Sequence, residues 1–120
     1  MDKELFDFVA ERVDVLAVAN TSKQETKDAA LAWKDAVAAD AASADAATQA
    51  LLDFLEGRMV TIDQVIAFAQ GPAVQMFGEE GAAKMLEEQL RRKEQGAKYC
   101  NCEAHIAAGE LLEKFGRIEL

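Results

Sequence analysis

The chain has 120 residues and a net charge of -9, with 22 acidic against 13 basic side chains. That length suits one domain with a core of its own, and the negative field repels phosphate backbones and anionic bilayers, so neither nucleic acid nor a membrane is an expected partner. Apolar residues make up 51%, but many are alanine, so the larger apolar side chains must gather on a few faces for a core to form.

No apolar run approaches the roughly 18 residues of a membrane span. The start, Met1-Asp2-Lys3-Glu4, is charged, and no apolar signal-peptide region follows it. A cytosolic location is the expectation. One proline, sparse glycines and no β-branched clusters leave helical periodicity dominant. These features predict an all-α fold, an irregular bundle of five to six helices forming a single helical domain over residues 1–120.

The first helix is predicted from Asp2 to Ala19. Leu5, Val9, Val13 and Leu16 share a face, Asp2 caps the start, and Asn20-Thr21 ends the helix through a left-handed residue. Ser22-Lys23-Gln24-Glu25 has the capping-box pattern, so a second helix should begin there and run toward Ala39. Its buried face is thin, with Trp33 as the anchor among Ala30, Val37 and flanking alanines. Asp40, Ser43 and Asp45 favour a break, whereas the alanines between them favour continuation, and the capping residues decide for a turn near Asp40–Ser43.

A third helix carries Ala47, Leu51, Phe54 and Leu55 and weakens at Gly57. Thr61-Ile62-Asp63-Gln64 is a second capping-box pattern, opening a short helix that Gln70-Gly71-Pro72 stops. Pro72 to Phe77 reads as a turn or two of helix with Val74, Met76 and Phe77 as apolar plugs, and Gly78 and Gly81 allow a bend. A longer helix follows over residues 79–95, burying Ala82, Met85, Leu86, Gln89 and Leu90 and ending at Gly96. Arg91-Arg92-Lys93, flanked by Glu87, Glu88 and Glu94, reads as a solvated face. Residues 97–101 are a connector, a last helix runs from Cys102 or Glu103 to Phe115, and Arg117 to Leu120 is a tail.

Chemistry concentrates in Tyr99-Cys100-Asn101-Cys102-Glu103-Ala104-His105, which holds both cysteines and the only histidine. Cys102 and His105 are three apart and share a face of a first helical turn, with Cys100 just before it. Two thiols and an imidazole suit zinc, and also Cu⁺ or iron. A helix N-terminus and Lys98 add positive potential that favours thiolate. Three ligands are present and no other Cys or His can complete the set. Glu103, another carboxylate, water or a group from a second chain, as in a homodimer, would have to supply the fourth.

Two other readings compete. Cys100 and Cys102 could cycle between dithiol and a strained disulfide, although no βαβ pattern surrounds them. Alternatively the cysteines pack as small hydrophobes in a helical interaction module with an unidentified protein partner. Clustering of the three rare residues favours metal. No acid–base pair or phosphate-binding glycine loop accompanies them, so the sequence points away from catalysis.

Gly96-Ala97-Lys98-Tyr99-Cys100-Asn101-Cys102-Glu103-Ala104-His105 resembles the end of a group of small bacterial proteins of unknown function, some with a chaperone or heat-shock label. Those proteins carry a Gly-Ala-Lys-Tyr-Cys-x-Cys-x-x-Cys-type run before a short helix. Ala32-Trp33 and Ile66–Ala69 are similar too. This chain has His105 where that pattern has a third Cys. The exchange keeps a metal ligand but forfeits a disulfide partner, so the resemblance implies metal over redox.

Overall fold

The computed structural model describes residues 1–120 and contains six α-helices and one 3₁₀ turn. The helices are α1 (Lys3–Val18), α2 (Gln24–Ala39), α3 (Ala44–Glu56), α4 (Ile62–Ala69), α5 (Pro72–Glu94) and α6 (Glu103–Lys114), with the 3₁₀ turn at Ala41–Ser43 between α2 and α3. The all-α expectation is met. No helix is long and apolar enough to cross a membrane. The chain forms two compact units, one from Met1–Met59 with Asn101–Glu119, the other from Val60–Cys100 with Leu120.

The first unit is a ring of four helices. α1 packs on α2, α2 on α3, α3 on α6, and α6 back on α1. Each contributes one stripe to the core. Val9, Val13 and Leu16 come from α1, Trp33 from α2, Leu51, Leu52 and Leu55 from α3, and Leu111 and Leu112 from α6. Alanines at 19, 30, 104, 107 and 108 fill the remaining buried positions and let backbones approach. The bulk missing from the face of α2 is supplied by its neighbours, as where Phe6 of α1 lies tilted against Trp33 with ring centroids 5.5 Å apart. The Trp33 indole N–H donates to Thr48 Oγ1 at 2.9 Å, so both polar groups are buried with a partner.

Local chemistry sets most helix ends. Asp2 caps α1 by accepting the Leu5 N–H at 2.9 Å. Asp40 accepts the Ala42 N–H, and the Ser43 hydroxyl donates to Ala36 and Asp40 carbonyls, which makes the break between α2 and α3 real. Past α6, Gly116 has φ +73 and the Arg117 N–H returns to the Leu112 carbonyl, closing the helix. Arg117 is no loose tail. Its guanidinium donates to Asp53 at 2.8 Å and Gln49 at 2.6 Å on α3, and the Asp53 hydrogen bond raises its pKa further, so its charge is fixed.

Two expected features of the α1–α2 loop do not form. α1 ends in extended backbone at Ala19, and no residue other than glycine has positive φ, so Asn20 is not a left-handed cap. Ser22 does not cap α2. Its N–H bonds back to the Ala19 carbonyl, the side chain is buried in the loop, and the N-cap falls on Lys23, which makes no side-chain cap. Tertiary burial has overridden the local capping pattern.

In the second unit, α4 packs on α5. Here the capping box forms in full, Thr61 and Gln64 each bonding the other's backbone N–H. Pro72 starts α5, and Gly78, at φ +78 and ψ 169, breaks it into the two expected pieces. The apolar plugs are not buried, since Val74, Met76 and Phe77 are exposed, and so is Leu90. They lie off the stripe of Ala73, Ala82 and Gln89 that α5 does bury. The basic cluster is not a uniform solvated face either. Lys93 pairs with Asp63 at 2.6 Å, and half-buried Arg92 bonds Gln89 and the Tyr99 carbonyl.

Candidate metal centre

The three residues are placed by different devices. Gly96, at φ +94, ends α5, and the chain then runs antiparallel to residues 60–62. The Ile62 N–H donates to the Lys98 carbonyl and the Cys100 N–H to the Val60 carbonyl, both at 2.9 Å. Thr61 and Tyr99 form an isolated bridge between those bonds, and Arg92 holds the Tyr99 carbonyl at 3.0 Å. The connector that ends in Cys100 is therefore pinned backbone.

Cys102 is the N-cap of α6 and His105 lies in its first turn. Cysteine stands where Ser or Asp would usually cap, and its side chain makes no cap bond. The Ala104 N–H is satisfied from outside α6, by Thr21 Oγ1 at 3.0 Å, which ties the α1–α2 loop to this turn. Cys102 also packs against the core, and all three candidate ligands are half-buried.

The ligand atoms of Cys100, Cys102 and His105 lie within 4.8 Å of one another, a cluster formed within six residues of chain. The Cys102 Sγ to His105 Nδ1 distance is 3.0 Å. On the other edge of the ring, His105 Nε2 lies 3.2 Å from the Arg58 carbonyl just past α3. A carbonyl only accepts, so Nε2 carries the proton and donates. Nδ1 is then free to use its lone pair toward the sulfur side. This is the usual arrangement of a metal-bound histidine, whose second nitrogen is held by a backbone carbonyl.

Tetrahedral zinc, with bonds of about 2.0–2.3 Å, places sulfur and nitrogen about 3.6 Å apart and two sulfurs about 3.8 Å apart. Cys102 and His105 would open by about half an ångström, within reach of side-chain rotation. Both cysteines are free thiols. No other His, Cys, Asp or Glu joins the group, and Glu103, the carboxylate adjacent in sequence, is exposed.

Sequence reasoning picked out the three residues that the structure brings together as a candidate ligand group, and missed their supports. Arg58 contributes through its carbonyl, which no residue type announces. Thr21 acts across 83 residues of chain and Arg92 across seven. A threonine beside a helix end and an arginine in a basic run are too common to signal such roles.

The molecule is thus an all-α protein with a Cys₂His group that could hold a metal ion. No family model, curated protein or solved structure matches the chain.

Proposed function

We propose that this is a small cytosolic metal-binding protein that holds a transition metal, zinc first, through Cys100, Cys102 and His105. One observation carries the reading: His105 donates from Nε2 to the Arg58 carbonyl and thereby turns its Nδ1 lone pair toward Cys102 Sγ. Two sulfurs and a nitrogen are a donor set for zinc, Cu⁺ or iron rather than for magnesium or calcium. The fourth position falls to water, a mobile carboxylate or a group from a second copy in a homodimer. The likeness to bacterial proteins with a third cysteine at this position supports the same reading, because histidine preserves a ligand there.

Elemental analysis of protein purified without chelators tests it. Near-stoichiometric metal, lost in Cys102→Ser, and a sulfur-to-metal absorption band on Co²⁺ loading are the expected results. Metal-free protein with reduced thiols that takes up no Co²⁺ overturns the proposal.

The 3.0 Å approach of Cys102 to His105 also favours a second reading, in which the imidazole takes the thiol proton in a dithiol–disulfide cycle. Oxidised glutathione would then remove about 2 Da from the chain, with dithiothreitol restoring it. If neither chemistry appears, the protein is a helical interaction module, and Cys102 is one more small side chain against the core.

A further inference from the structure

A cavity of ≈ 60 Å³ lies within the first unit, among the α1–α2 loop, the end of α3 and the first turns of α6. Leu16, Leu55, Ala104 and Ala108 give it a buried apolar wall. Its charged lining residues are Lys23 and Arg58, and no acidic side chain lines it. That is notable in a chain with 22 acids. The space is several times the roughly 10–15 Å³ that one water needs.

Ser22 lines this cavity and is only 8% exposed. Its Oγ is the buried side-chain polar atom without a hydrogen-bond partner. Buried hydroxyls are ordinarily satisfied, so this one calls for a partner from outside the chain. It stands two residues ahead of α2, a helix of 16 residues whose N-cap, Lys23, makes no side-chain cap. The first N–H groups of that helix are donors in need of an acceptor. A hydroxyl, helix N–H groups and two cations together favour an anion. The apolar wall asks in addition for hydrocarbon, which phosphate and chloride lack.

We propose that this cavity binds a short monocarboxylate of propionate or butyrate size. The carboxylate bonds Ser22 Oγ and the first N–H groups of α2, with Lys23 and Arg58 contributing charge. The short tail lies against Leu16, Leu55 and Ala108. His105 also lines the cavity, but its nitrogens face Cys102 and the Arg58 carbonyl, so the ring offers a face and no hydrogen bond. The cavity shares the His105 ring with the candidate metal ligands and is lined by neither cysteine.

Titration of ¹⁵N-labelled full-length protein with sodium propionate tests this, with chelator present so that no metal binds the carboxylate. Saturable shifts of the backbone N–H signals of residues 22–26 are expected, with a Kd of about 1 mM for so small a ligand. Propionamide and inorganic phosphate should produce no saturable shift. Ser22→Ala should weaken binding about fivefold or more, and Lys23→Gln, an exposed change that leaves the fold alone, should weaken it to a lesser degree. Equal responses to propionate and propionamide, or to propionate and phosphate, overturn the proposal. So does the absence of saturation by propionate, or full affinity in a folded Ser22→Ala protein.

Discussion

At the scale of single residues, the polar atoms that find partners and the one that does not make opposite predictions. Thr48 is 1% exposed and accepts the Trp33 indole N–H. Thr48→Val keeps the shape and leaves that N–H buried and unpaired, which should cost about 1–3 kcal/mol in urea unfolding, while Thr48→Ser costs less. Asp2 and Ser22 form a matched contrast, since both occupy cap positions in the sequence pattern. Asp2 accepts the Leu5 N–H, and Asp2→Ala should cost about 1 kcal/mol. Ser22 bonds nothing through its hydroxyl, so Ser22→Ala in ligand-free protein should leave stability within about 0.5 kcal/mol or raise it. A loss as large as that of Asp2→Ala would mean that Ser22 caps α2 after all.

At the scale of elements, the break inside α5 rests on Gly78. A Cβ there would meet nothing within 4 Å, so the obstacle to another residue is the positive φ alone. Gly78→Ala should therefore destabilise by about 1–2 kcal/mol through the backbone, with no clash to relieve. Gly81 is different. It has an ordinary helical φ, but an added Cβ would sit 3.0 Å from Phe77 Cβ. Gly81→Ala trades a helix-propensity gain of about 1 kcal/mol against that contact, so its measured sign reports whether Phe77, itself exposed, can yield. The elements themselves were largely legible. Spacing and caps placed α1, the Asp40 turn, the Thr61 capping box, the Pro72 start and the Gly96 stop. The capping pattern at Ser22 misled because burial of a loop competes with a local hydrogen bond and won. The Val74–Phe77 plugs misled because apolar character does not say which side of a helix will find a neighbour.

At the scale of the whole molecule, metal binding should appear as stability. A ligand that binds only the folded chain adds about 2.7 kcal/mol at a hundredfold excess over its Kd. Zinc should thus raise the melting temperature of the chelator-stripped protein, and His105→Ala should abolish the rise while the apo form stays folded. The gain should shrink as pH falls, because protons compete for thiolate and imidazole and metal binding must release them. An unchanged melting temperature across a zinc series would count against the centre as a whole.

The helical class, most helix ends and the identity of the candidate ligands were readable from the order of residues. Each of these depends on interactions within a few residues: periodicity, caps, glycine backbone freedom, and three donor side chains within six residues of chain. Tertiary structure alone decided the tautomer-setting bond from His105 to the Arg58 carbonyl, the Thr21 hydroxyl that serves α6, and the Arg92 bond that pins Tyr99 beside Cys100. It also decided that Ser22 is buried without a partner beside an apolar cavity. Those outcomes depend on which backbone carbonyl or hydroxyl packing brings near. Main-chain groups are the same at every residue, so nothing in the order of side chains marks the one that will be used.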